Sequence, residues 1–147
     1  MLQAHGHHVQ ALRGRTTRHR RSHVPSNAVL PIPSSILEAQ QDVTLCVDLF
    51  YVNGLVFLLT ISRNLQFVTV HALKRRSMVG EVLPLLDTVC NVYCARGFRI
   101  AAVHADNEFQ PLQTLLLCPE HGHVRLHICG ANAHVPEAER AIRTVKE

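Results

Sequence analysis

The chain has 147 residues, 47% of them hydrophobic and 18% charged, which suits one folded domain and excludes a disordered or collagen-like polymer. Its apolar runs, of which Leu55–Leu59 is about the longest, fall short of the ~18 residues of a membrane span. Five Cys without regular spacing argue against a disulfide framework, so reduced thiols and an intracellular home are expected.

The formal charge of +4 is unevenly placed. Residues 1–37 hold Arg13, Arg15, Arg18, Arg20 and Arg21 and no acid, while the remaining ten Lys and Arg face eleven Asp and Glu. The positive charge therefore belongs to an arm and not to a cationic globular body. Residues 1–35 read as that arm or linker: they carry five His, Pro25, Pro31 and Pro33, and no lasting hydrophobic period. The plain reading is a solvated tail. The functional one is phosphate contact by the five arginines at any nucleic-acid sequence. A transit peptide is a third, opposed by Gly6, Gly14 and Pro25. His5, His7 and His8 invite a metal, but no Cys precedes Cys46 to complete a His/Cys zinc site. Cys118, His121, His123 and Cys129 form a second set, with no common zinc spacing.

The globular part, residues 36–147, opens with a strand over 42–52 that is apolar on both faces, as a central strand is. Asn53-Gly54 signals a tight hairpin, with returning strands at 55–62 and 67–73. The 3.6 period of Val79, Val82, Leu83, Leu86, Val89, Cys90 and Tyr93 predicts a helix from about Ser77 to Arg96. Gly97 stands just past its end, and Pro84 should kink it or delay its start. A fourth strand follows at 98–104, a short helix at 109–117, a fifth strand at 123–129, and a last helix at 136–147 with Pro at its first position. A three-strand antiparallel meander followed by two crossover strands implies a mixed five-stranded α/β sheet with helices on both faces.

Three acids occupy places where apolar residues would cost less. Asp48 interrupts an apolar strand, where an unpaired carboxylate costs several kcal/mol. Asp106 follows the fourth strand directly, at a carboxyl end, where open α/β sheets place their sites; turn or capping duty is its plain reading. On the last helix Ala138, Ala141, Ile142 and Val145 make one apolar stripe. Glu139 lies beside the stripe with Arg143 and Lys146 over the same face, whereas Glu137 falls on the other flank, with Thr144 and no base there. An exposed intrahelical salt bridge is the plain reading of Glu139. Two Asp and a Glu can also hold two divalent ions, Mg²⁺ or Mn²⁺, in a clamp for in-line phosphoryl displacement.

These residues sit in a recognisable order. Val47-Asp-Leu-Phe-Tyr-Val-Asn-Gly54, Phe57-Leu-Leu-Thr-Ile-Ser-Arg63, Ala95-Arg-Gly-Phe98, His104-Ala-Asp-Asn-Glu-Phe109 and Asn132-Ala-His-Val135 leading into Glu139-Arg-Ala-Ile-Arg-Thr144 follow one another over residues 42–147. In this the chain resembles the catalytic core of retroelement (LTR-retrotransposon-type) integrases of the ribonuclease-H-like superfamily. The resemblance implies Asp48, Asp106 and Glu139 as catalytic and metal-binding residues of a two-ion Mg²⁺ or Mn²⁺ site. It also implies 3′-end processing and strand transfer as the activity, with element ends and target DNA as partners. Arg13, Arg15, Arg18, Arg20, Arg21, Arg143 and Lys146 are the expected nucleic-acid contacts. Self-association is admitted, no membrane is expected, and the functional location would be nuclear. Asp106 and Glu139 are slightly closer in sequence than the family usually has them. The last helix reads as truncated, so the chain alone is expected to be a weak or inactive catalyst. A non-catalytic nucleic-acid-binding remnant and a metal-dependent nuclease of the same fold are the alternatives.

Overall fold

The structure, a computed structural model, describes residues 31–130 and 135–147. The arginines at 13, 15, 18, 20 and 21 and the histidines at 5, 7 and 8 lie outside the described residues. Chain contacts divide the sequence after Pro31, and every element below belongs to the unit Ile32–Glu147.

The elements are α1 (Ser34–Gln40), β1 (Asp42–Val52), β2 (Leu55–Ser62), β3 (Val68–Leu73), a π-helical turn (Met78–Val82) running into α2 (Leu83–Cys94), β4 (Arg99–Ala105), a 3₁₀ segment (Asn107–Leu112) running into α3 (Gln113–Leu116), β5 (Arg125–Ile128) and α4 (Pro136–Lys146). The five strands form one mixed sheet in the order β3-β2-β1-β4-β5. The meander β1–β2–β3 is antiparallel, and β4 and β5 join β1 in parallel.

Local chemistry accounts for most of the boundaries. Asn53 and Gly54 both take positive φ, +50° and +79°, the backbone that a two-residue hairpin matched to strand twist requires. Ser77 caps the π-helical turn, its hydroxyl accepting from the Gly80 N–H. Pro84 does delay the α-helix: α2 begins at Leu83, so Pro84 falls in the first turn, where its missing N–H costs nothing. Other boundaries shift by one or two residues, and three differences from the sequence reading have a physical reason. β5 starts at Arg125 and not at 123, because His123 has φ +56° and completes a turn with Gly122. The helix expected at 109–117 is a 3₁₀ segment from Asn107, with Pro111 inside, followed by a single α turn. Helix α1 has no counterpart in the sequence reading. Its Leu37 packs partly on the core, and a Cβ at Gly97 (φ +87°) would stand 3.4 Å from Leu37 Cδ2.

Helices cover both faces of the sheet. On one, Val43, Leu45 and Val47 of β1 meet Leu86, Val89 and Tyr93 of α2 and Phe109, Leu112 and Leu116 of the segment after β4. On the other, Cys46 and Phe50 of β1 and Leu59 and Ile61 of β2 meet Ala138 and Ala141 of α4. The alternation of strand side chains puts 46, 48 and 50 together on the α4 face. At the β2–β3 seam the buried Thr60 hydroxyl bonds that of Thr69 at 2.8 Å, and Ser62 Oγ accepts from the Phe67 N–H at 3.0 Å.

Candidate functional site

β1 is longer than the strand beside it, and that difference makes the site. β4 pairs with β1 only as far as Cys46↔His104 and ends at Ala105. Two positions past that last pair lie Asp48 on β1 and Asp106 just after β4. Asp48 therefore stands at the level where its parallel neighbour stops. It is half-buried instead of sealed inside the sheet, which relieves the cost expected for a mid-strand carboxylate. Its Oδ1 also accepts from the Leu49 N–H at 2.7 Å.

Asp106 is half-buried as well, and it fills the capping role that its position suggested. Its Oδ1 accepts from the Glu108 N–H at 3.0 Å and so starts the 3₁₀ segment Asn107–Leu112.

Helix α4 supplies the third acid. Its contacts run to β1 and β2, with Ala138 and Ala141 buried against the sheet. Val145, expected on the same stripe, is 46% exposed, so the apolar dock ends at the half-buried Ile142. Glu139 is exposed, and among the described residues its carboxylate forms no ion pair, so the Glu139–Arg143 bridge of the plain reading is not made. Lys146 instead places Nζ 5.6 Å from the centroid of the Phe50 ring, a distance at which a cation is attracted to the ring face.

One open cleft of about 590 Å³ gathers these groups. Asp48, Asp106 and Glu139 line it, together with Phe50, Tyr51, Glu108, Ile142, Arg143 and Lys146. Four carboxylates and two cations thus converge from β1, the segment that follows β4, and α4. At its edge the guanidinium of Arg76, which follows β3, pairs with the Glu108 carboxylate.

The donor chemistry of the three acids is all oxygen, which suits hard divalent cations. Yet among the described residues no three His, Cys, Asp or Glu side chains are gathered closely enough to hold a metal ion. The second set from the sequence is committed elsewhere. His121 Nδ1 bonds Asp87 at 2.9 Å, His123 Nδ1 bonds the Leu117 carbonyl at 2.9 Å, and Cys118 Sγ reaches the Thr114 carbonyl at 3.5 Å. Cys129 lies apart, partly buried beneath α4.

Two polar features were not read from the sequence. Glu137, on the flank of α4 away from Arg143 and Lys146, meets Arg63 from the end of β2, with Nε 2.9 Å from Oε1. Its own backbone N–H, and then Arg63, hold its carboxyl below the ordinary range, against the effect of burial. His104 and His127, register partners on β4 and β5, stand with ring centroids 5.0 Å apart. Burial, then Arg63 and His127, push the His104 imidazole below its usual value, against the pull of Glu137. Cross-strand parity could have placed the histidines together, but no local signal links Arg63 to Glu137 across 74 positions.

Among the described residues no helix is long and apolar enough to cross a membrane. The chain matches no model of a known protein family, and no curated protein matches it.

Proposed function

We propose that the cleft between β1, the end of β4 and α4 is a metal-dependent phosphodiester-processing site of the integrase-core type, on a ribonuclease-H-like sheet, acting on DNA ends in the nucleus. One observation carries the reading: Asp48, Asp106 and Glu139, distant in sequence, line the same cleft as Arg143 and Lys146. In addition, the strand order β3-β2-β1-β4-β5 with one antiparallel meander is compatible with that fold.

Asp48 would hold the metal from within β1 and Asp106 from just past the end of β4, and Glu139 would complete the set from the helix. Two bound Mg²⁺ or Mn²⁺ ions supply activation of the attacking oxygen and stabilisation of the leaving one. Arg143 and Lys146 would draw the phosphodiester into the cleft by charge. The arm arginines would add contacts without sequence preference; neutralising five phosphates gives a log–log salt slope of about −4.5 on duplex DNA.

The test is 3′-end cleavage and strand joining on labelled oligonucleotide duplexes with Mn²⁺, using the full chain. Turnover that disappears in Asp48→Asn and in Glu139→Gln is the expected result. Turnover indifferent to both substitutions would overturn the reading. One observation favours a second reading, a nucleic-acid-binding module without catalysis: no three ligands are gathered for a metal among the described residues. Salt-dependent DNA binding with no Mn²⁺ uptake would select it.

A further inference from the structure

Helix α4 brings Glu139 to the cleft, and its apolar dock is made of small or partly buried groups: Ala138, Ala141 and the half-buried Ile142, with Val135 just before the helix. Its buried side chains are Ala138 and Ala141, and Val135 before it makes no side-chain cap bond. Two methyl groups set how near the helix lies to the sheet, and one half-buried Ile side chain gives only a low ridge against rotation about its axis.

Directional contacts occur at the two ends instead. In the first turn Glu137 accepts from Arg63 Nε at 2.9 Å, and in the last Lys146 lies over the Phe50 ring. Arg63 is itself anchored: it directly follows β2, and its backbone N–H donates to the Thr44 carbonyl on β1 at 2.9 Å. Glu137 and Glu139 are two residues apart, about 200° around a helix. A rotation that breaks the Arg63 contact therefore swings Glu139 away from the cleft. Glu137 Oε2 is buried without a hydrogen-bond partner among the described residues, so Arg63, beside the residue's own backbone N–H, contributes to compensating this carboxylate.

We infer that the Arg63–Glu137 ion pair is a positioning device, which fixes the rotation of α4 on the sheet and thereby aims Glu139 at Asp48 and Asp106. Neither residue lines the cleft, so both act through Glu139 and neither is catalytic. The functional half of this inference rests on the reading of the cleft given above; the rotational half concerns the fold alone. The side chains are 43% and 24% exposed, and a pair so exposed contributes little to global stability. Substitution should loosen one helix without unfolding the domain.

The experiment compares the full chain with Arg63→Gln, Glu137→Gln, the double substitution and Arg63→Lys. Amide hydrogen exchange is read across 136–146 and across β1 and β2, and Mn²⁺-dependent DNA cleavage is measured in parallel. Each Gln variant should speed exchange in α4 about two- to fivefold while β1 and β2 stay protected. The double variant should be no worse than either single, because both remove one shared contact. Arg63→Lys should retain most of the protection. In turnover, kcat should fall roughly tenfold or more with KM unchanged, as expected of a misplaced catalytic group. Unchanged exchange in α4, or losses that add in the double variant, would overturn the inference. So would loosened helices with unchanged kcat. Wild-type chain lacking any turnover dependent on Asp48 and Glu139 would instead overturn the cleft reading and the functional half with it, and the exchange data would then decide the rotational half alone.

Discussion

The two faces of the sheet hold their helices by different means. Under α2 and the segment after β4, large buried side chains interlock: Leu86, Val89, Tyr93, Phe109, Leu112 and Leu116 close over Val43, Leu45, Val47 and Leu58. Under α4 the buried helix residues are Ala138 and Ala141, joined at the ends by an ion pair and a cation over a ring. Apolar burial stabilises in proportion to area, at about 25 cal/mol per Å², so the first face carries the fold. The second carries the polar chemistry. β1 serves both, with Leu45 and Val47 turned one way and Cys46, Asp48 and Phe50 the other. An acid can stand in the middle of this strand because its neighbours lock the strand from the opposite face.

Substitution at the bulky face should have the largest effect. Phe109, fully buried, should cost about 3–5 kcal/mol as Phe109→Ala. Ile142→Ala, on a half-buried side chain of α4 that faces the sheet, should cost about 1 kcal/mol. Urea denaturation of both variants checks this, and equal losses would erase the distinction between the faces. Asp48→Asn separates stability from chemistry. It should lower Mn²⁺-dependent DNA cleavage roughly 100-fold or more while shifting stability by roughly 1 kcal/mol or less, because Asn retains the Oδ1 that accepts from Leu49.

Acid should act on the α4 face first. The folded His104 titrates below 6.5, so near and below that pH the unfolded chain binds a proton that the folded chain refuses. Stability is then fully present above pH 6.5 and falls as pH drops through the folded value. Glu137, held below 4.5, adds a second loss at more acid pH, as its carboxylate takes up a proton and releases Arg63. Urea midpoints against pH should lose the upper step in His104→Gln and the lower one in Glu137→Gln. A single step common to both variants would refute the assignment. The smallest effect concerns thiols. Burial first, then Asp87 and Cys94, push Cys90 up to about 12, and burial above all raises Cys46, whereas Cys94 is exposed. Iodoacetamide at about pH 8 should therefore alkylate Cys94 well before Cys46 or Cys90, since the thiolate is the reacting form. In mild urea Cys46 should be labelled before Cys90, as α4 lifts before the bulky face opens.

Much of this architecture could be read from neighbouring residues. The hairpin at Asn53-Gly54, the cap at Ser77, the late start of α2 at Pro84 and its stop before Gly97 each follow from one or two side chains acting on their own backbone. Asp48 was conspicuous because it broke an apolar run, and Glu139 because of its place on the helical wheel. Errors arose where local pattern meets a turn or a distant partner. His123 looked like strand until its positive φ closed a turn, and Val145 looked like core although α4 turns it outward.

The chain order of strands and helices, and the types of residue available for chemistry, were thus determined by the sequence itself, because hydrophobic period and turn chemistry act over a few residues. The tertiary structure alone decided that β4 stops beside Asp48 and opens it to the cleft, that Asp106, while capping the segment after it, faces the same space, and that Glu137 finds Arg63 at the end of β2. Those outcomes depend on strand register and helix rotation, which are set by contacts between segments tens of residues apart, where no local period reaches.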